Sequence, residues 1–226
     1  GSFDDAQALV KTLFNDQPFR AEVQLSAVNS INWARLLAQI VYYVHAGTRL
    51  GAPHRQVSFA VPTGNFGDVF AGYCAARMGL PVGRLMVATN VNDILARALN
   101  AGDYSVGRVA PTATPSMDIQ VSSNFERLLF DLHGRDGAAL AATMQDFEAT
   151  GRMALSAAQR AEAARLFAAA RIDETGMMQA LQWAWSSCGQ LIDPHSGIGL
   201  AAARGAEEEL PGPIVTLATA HPAKFP

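Results

Sequence analysis

Apolar positions along the chain follow two rhythms. Phe3, Ala6, Leu9, Val10, Leu13 and Phe14 recur at helical spacing and predict an amphipathic helix ending near Asn15, with Ser2 and Asp5 framing its start as a capping box. A longer helix is predicted over residues 30–49, with Trp33, Leu36, Leu37, Ile40, Val41 and Val44 on its buried face and Gly51, Ala52 and Pro53 ending it. Residues 56–61 then form a β-branched and aromatic run closed by Pro62. Residues 67–77 read as helix with Gly79 as a left-handed stop, residues 85–88 as a second apolar run, and residues 91–100 as helix again. Strand, helix, strand, helix with short connections is the pattern of βαβ units on a parallel sheet. The strand runs are continuous rather than alternating, as expected of strands buried on both faces. The predicted class is α/β, a parallel sheet flanked by helices.

From Asn124 onward the pattern is mostly helical. Phe125, Leu128, Leu129 and Leu132 make one face, and residues 138–149 make another segment. The Ala-rich stretch 156–170 reads as helix because Ala is the best helix former. Residues 177–185 are predicted helical, with their Met and Trp side chains in the core, and residues 214–218 form a last strand. No internal repeat is visible. The expectation is one domain over residues 1–226 with a helix-rich insertion at about 124–190.

Composition sharpens this picture. Half the residues are hydrophobic and 16% are charged, below the roughly 25% of typical soluble domains. Such a surface is apolar enough to expect a partner or a missing piece. A formal net charge of −3 argues against a nucleic-acid-binding face. The longest apolar stretch, residues 36–47, holds Gln39 and His45 and is too short to span a bilayer, which takes about 20 residues. The start of the chain carries Asp4 and Asp5 and no signal-peptide pattern. Cys74 and Cys188 form no C-x-x-C pair and read as two buried thiols in a reducing, cytoplasmic setting.

The segment Val61-Pro62-Thr63-Gly64-Asn65-Phe66-Gly67-Asp68 follows a predicted strand and opens a predicted helix. Its glycines allow close backbone approach, and the free N–H groups and dipole of a helix start attract an anion, most often phosphate. It is neither Walker A nor G-x-G-x-x-G, and a glycine turn that binds nothing is the competing reading. His195, in Asp193-Pro194-His195-Ser196, reads as a satisfied cap or core residue at a helix start. His45, His54 and His133 lack ligand spacing, so no metal site is expected. Asn90 and Asn92 follow a strand and either face a ligand cleft or cap their loop. Ser58 and Ser186 lack the surroundings of a hydrolase triad.

Five motifs occur in order: Asn29-Ser30-Ile31-Asn32-Trp33-Ala34-Arg35, then Pro62 to Asp68, then Ala88-Thr89-Asn90-Val91-Asn92-Asp93, then Asp193-Pro194-His195-Ser196-Gly197, and finally Ala218-Thr219-Ala220-His221-Pro222-Ala223-Lys224-Phe225. The series resembles the threonine synthase family, pyridoxal-phosphate enzymes of fold type II, over about residues 3–225 and least across 134–166. The resemblance implies that Gly64, Asn65, Phe66 and Gly67 hold the phosphate of pyridoxal 5'-phosphate through backbone amides. It also implies that the Thr219 hydroxyl bonds the pyridine nitrogen; otherwise Thr219 is a strand-end hydroxyl satisfying its own backbone. The family's activity is conversion of O-phosphohomoserine and water to L-threonine and phosphate.

Such catalysis needs a Schiff-base lysine. The chain has only Lys11 and Lys224, and the family's Phe-Lys-Asp motif does not occur in it. The chain therefore resembles a C-terminal portion of the enzyme, lacking the catalytic lysine and inactive by itself, whose partner is the missing N-terminal part of the same protein. The other readings are a cysteine-synthase or tryptophan-synthase β relative, and a non-catalytic module that binds a phosphate ligand.

Overall fold

The computed structural model describes residues 3–26 and 32–225, and of residues 3–8 the backbone alone. The chain begins with α1 (Phe3–Asn15), α2 (Gln17–Glu22) and α3 (Trp33–Arg49). It continues through β1 (Val57–Pro62), α4 (Gly67–Arg77), β2 (Val82–Thr89), α5 (Ile94–Ala101) and β3 (Asp103–Ser105). After a 3-10 turn at Pro115–Met117 come α6 (Phe125–Leu132), α7 (Gly137–Thr150), β4 (Arg152–Ala154), α8 (Ala157–Ala163) and β5 (Phe167–Arg171). It closes with α9 (Glu174–Cys188), α10 (Pro194–Gly205), β6 (Ile214–Thr216) and a 3-10 turn at Pro222–Lys224.

The main sheet has the order β5-β2-β1-β6, and every pairing in it is parallel. Its strands are buried on both faces, which is why their sequences run apolar without alternation. Phe59 and Val61 of β1 and Leu85 and Val87 of β2 enter one core with Leu36, Ile40 and Tyr43 of α3, Val69 and Ala71 of α4, and Leu95 of α5. Ala60, Met86 and Ala88 point the other way, against Ile198 and Ala202 of α10 and Met177 of α9. Two layers of helix thus enclose one sheet, and the carboxyl ends of β1 and β6 open at its rim.

Several expectations need correction. The Ala-rich stretch 156–170 is not one helix. Ser156 and Gln159 form a capping box that starts α8, but α8 ends at Ala163 and β5 begins at Phe167. There Ala168 pairs with Met86 and Ala169 with Val87, so sheet pairing overrides the helical preference of Ala. In α3 the buried residues are Leu36, Ile40, Tyr43 and Gly47, whereas Trp33, Leu37, Val41 and Val44 are exposed. The helix is apolar around much of its circumference, and the face turned inward is the one whose Tyr43 ring meets Phe59, with centroids 4.9 Å apart.

In α9, Met177 is core, whereas Trp185 is exposed on the side away from α10 and Trp183 lies at the margin of that contact, with the Arg204 guanidinium of α10 4.1 Å from its ring centroid. Cys74 is half-buried rather than buried, and Cys188, the last residue of α9 before Gly189, is exposed. A small antiparallel pair, β3 with β4, was not foreseen; three residues per strand leave too little pattern to read. The Ser2–Asp5 capping box and residues Asn29, Ser30 and Ile31 lie outside the described residues or side chains.

Phe167 ties the edge strand to the core: it is buried, and its ring centroid lies 5.8 Å from both Phe66 and Tyr73. Phe167→Ala should lower the unfolding free energy by about 3–5 kcal/mol, seen as a lower urea midpoint at unchanged slope.

Candidate anion-binding site

The turn that leaves β1 is fixed on its protein side. Thr63 N–H donates to the Ala88 carbonyl at 2.8 Å, and the Thr63 hydroxyl to the Val61 carbonyl at 2.6 Å. The carbonyl of Gly64 accepts from Ser122 Oγ at 2.8 Å, and that of Asn65 accepts from the Asn124 N–H at 3.1 Å and Asn124 Nδ2 at 3.0 Å. At Gly64 a Cβ would stand 2.7 Å from the Ser116 carbonyl oxygen and 3.3 Å from Met117 Cα, so backbone rather than side chain crowds this position. Only glycine fits.

The positive φ of the turn falls on Phe66, at 63°, and on neither glycine. Its buried ring packs edge-on to Phe125 at 5.3 Å and against Phe167 at 5.8 Å. Helix α4 starts immediately after. Its N-cap is Phe66, which offers no side-chain cap. A first helical turn has N–H groups with no intrahelical acceptor, here those of Gly67, Asp68 and Val69, and the helix dipole places partial positive charge at the same end.

These groups open on a cavity of about 790 Å³. One wall is the turn and the start of α4; a second is α3, through Arg35, Gln39, Tyr42 and Ala46; the third is the strand end running from Val215 to Thr219. The structure therefore brings Gly64, Asn65, Phe66, Gly67 and Thr219 to one cavity, because β6 pairs with β1 and delivers Thr219 beside the turn. Three lining residues of note were not singled out from sequence: Arg35, Gln39 and Asp68. Arg35 and Gln39 stand one helical turn apart on an otherwise apolar segment, and that polar i, i+4 pair was the available signal. Gln39 Oε1 is buried with no hydrogen-bond partner among the described residues.

Asp68 is partly buried, and desolvation pushes its carboxyl up to about 6, against the lowering effects of the Tyr43 hydroxyl and the Arg35 charge. The sign for stability follows. A carboxyl whose folded-state value is raised from 3.8 to about 6 favours the fold below 3.8, and that contribution is lost as the pH rises through 6.

The remaining candidates lie elsewhere. His195 is a buried residue of the first turn of α10, whose cap is Asp193: its N–H donates to Asp193 Oδ1 at 2.9 Å, its Nδ1 lies 3.0 Å from the same oxygen, and Ser116 N–H reaches its Nε2 at 3.4 Å. Asn90 and Asn92 order their loop. Asn90 Nδ2 lies 2.8 Å from both Thr114 Oγ1 and Asp118 Oδ1, and Asn92 Oδ1 accepts from Ala110 N–H at 2.8 Å. Ser58 is buried and donates to the Pro211 carbonyl at 2.7 Å. Lys11 and Lys224 are exposed, and neither lines the cavity. Among the described residues no group of three His, Cys, Asp or Glu could hold a metal ion, and no helix is long and apolar enough to cross a membrane.

Comparison with known proteins gives a consistent set of matches. A sequence family described as "Threonine synthase, C-terminal" matches residues 196–226. The chain is 53% identical to a threonine synthase of Pseudomonas aeruginosa across all of its own length and 48% of that protein's. Among solved structures, a PLP-bound threonine synthase from Brucella melitensis superposes with a TM-score of 0.91 at 53% identity, covering 100% of this chain and 48% of that one. A yeast threonine synthase superposes at 0.87 with 36% identity and the same shares. The chain spans about half the length of the curated relatives it matches.

Two measurements check the geometry. Gly64→Ala should lower the melting temperature by several degrees, on the order of 1–3 kcal/mol of overpacking, whereas Asn65→Ala should change it little. Asp68→Asn should be stabilising relative to the parent above about pH 6 and lose that advantage as the pH falls toward 3.8, measured as a difference in urea unfolding across that range.

Proposed function

We propose that this chain, which belongs to the threonine synthase family and spans about half the length of its relatives, supplies the C-terminal share of a pyridoxal-phosphate site in a threonine synthase. The observation that carries this reading is the single cavity shared by residues 64–67 and Thr219. The residues present fit the phosphate and the ring of the cofactor. The N–H groups at the start of α4, which have no side-chain cap, suit a bound phosphate. Thr219 at the far wall suits a ring nitrogen, as a neutral hydroxyl rather than a carboxylate. When bound, the cofactor supplies the electron sink for carbanion chemistry.

In this reading the chain's own groups bind and orient. Backbone N–H groups of the turn and of α4 would hold the phosphate, the tight packing at Gly64 and Phe66 fixes the turn that carries them, and the Thr219 hydroxyl would donate to the ring nitrogen. Arg35, on the α3 wall, adds positive charge for an anionic substrate. The reaction of the complete enzyme is conversion of O-phosphohomoserine and water to L-threonine and phosphate, in the cytoplasm. The lysine it requires comes from the remainder of the enzyme, since Lys11 and Lys224 are exposed and outside the cavity lining. That remainder covers the outward face of α3, where Leu37 is 51% exposed and Val41 60%.

By itself the chain should form no threonine from O-phosphohomoserine. Mixed with pyridoxal 5'-phosphate and reduced with borohydride, it should give no stoichiometric adduct at Lys11 or Lys224 by mass spectrometry. A stoichiometric adduct at Lys224 together with threonine formation would overturn this reading. Gly67→Ala should weaken inorganic phosphate binding more than Asn65→Ala, because the first crowds the backbone donors and the second removes a side chain.

A further inference from the structure

An acid stands where a bound dianion would be closest. Asp68 is the second residue of α4 and lines the cavity together with Gly64, Asn65 and Gly67. If it stayed ionised, its charge would oppose a phosphate held by the N–H groups of the same helical turn, in partly buried surroundings that screen the repulsion less than bulk water does.

The groups that face Asp68 are few. From α3, the Tyr43 hydroxyl donates to the Asp68 carbonyl at 2.8 Å and lies 3.3 Å from Asp68 Oδ1, and Arg35 contributes positive charge. The third wall, residues 215–219, presents no titratable side chain. Tyr43 cannot withdraw: it is fully buried, its ring lies against Phe59, and it rests on Gly72 so closely that a Cβ there would stand 2.6 Å from the ring. The main chain of Asp68 is therefore pinned by the Tyr43 hydroxyl, whose longer 3.3 Å approach to Oδ1 keeps the carboxyl at the cavity wall, and among the described residues Arg35 of α3 is the cation whose charge bears on it.

We infer that Asp68 takes up a proton from solvent when the cradle fills, so that the dianion is bound against a neutral acid. This rests on the phosphate reading of the turn given above. Protonated, the carboxyl becomes a donor instead of a competing acceptor. Burial already holds its ionisation near neutrality, at about 6, so a modest push from a nearby negative charge completes the change. Asp68 thereby weakens anion binding as the pH rises through its ionisation, a dependence that opposes the ionisation of phosphate itself and is absent when position 68 is Asn.

Titration calorimetry of the chain with inorganic phosphate, in two buffers of different ionisation enthalpy at about pH 7, counts the protons exchanged. The parent should take up on the order of half a proton more than Asp68→Asn, and the variant should bind phosphate about tenfold more tightly than the parent at about pH 8 while matching it at about pH 5. Equal proton counts and parallel pH profiles would overturn the inference while leaving the phosphate cradle standing. Absence of binding by both proteins would overturn the cradle, and the inference with it. Should Asp68→Asn fail to fold, Tyr43→Phe decides. Removing the hydroxyl that lowers the Asp68 value should move the pH midpoint of the extra proton uptake upward, and an unmoved midpoint would overturn the inference.

Discussion

Phe66 holds the site open. Its backbone turns the chain out of β1 in the left-handed region, a conformation that costs a non-glycine residue on the order of 1–3 kcal/mol. The ring offsets that cost by filling the space between Phe125 of α6 and Phe167 of β5. Helix α4 can then begin at Gly67, with Gly67, Asp68 and Val69 lining the cavity and no side-chain cap from Phe66. The region around residues 124–190, which looks like a helical appendage in sequence, is in this sense part of the site. Its aromatic side chains fix the turn, and the Ser122 and Asn124 groups at its entrance hold the carbonyls of Gly64 and Asn65 on the protein side.

The sheet supplies the second constraint. Parallel strands bring their carboxyl ends to one rim, and the adjacency of β1 and β6 sets Thr219 across from the turn although more than half the chain separates them in sequence. Helix α3 forms the remaining wall from residues that face neither core. Its inner stripe is committed to Tyr43 and Leu36, its cavity stripe carries Arg35, Gln39 and Tyr42, and its outer stripe is apolar and exposed. The inner and outer apolar stripes adjoin along Leu37, Ile40 and Val44, and the polar side chains fall on the cavity stripe.

Much of this was legible because the relevant signals are local. Continuous apolar runs bounded by Pro62 and by glycines mark β1 and β2, and the strand-turn-helix at residues 61–68 declares a helix start with room for an anion. What failed depended on distant partners. The Ala-rich segment becomes β5 because β2 offers it a ladder, which no local preference of Ala reveals. The buried stripe of α3 could not be chosen from a helix apolar on several sides. Tyr43 wins through contacts with Phe59, Gly72 and Asp68, all remote in sequence. In sequence Phe66 is one of four loop residues, and its left-handed backbone is invisible because φ > 0 is expected of the flanking glycines. Asp68 carries no signal in sequence beyond its place at the end of a motif; its raised ionisation comes from burial that the fold creates.

The central claim is that residues 64–67 form a preformed cradle for a phosphate group, facing Thr219 across one cavity. The most direct measurement is a titration of the isotope-labelled chain with inorganic phosphate, followed by backbone amide NMR. Saturable shifts should centre on the N–H groups of Gly64, Asn65, Gly67 and Asp68 and extend weakly to Thr219, with β2 and α10 unperturbed. Saturable binding that leaves those amides unmoved, or shifts that gather at another part of the surface, would contradict it.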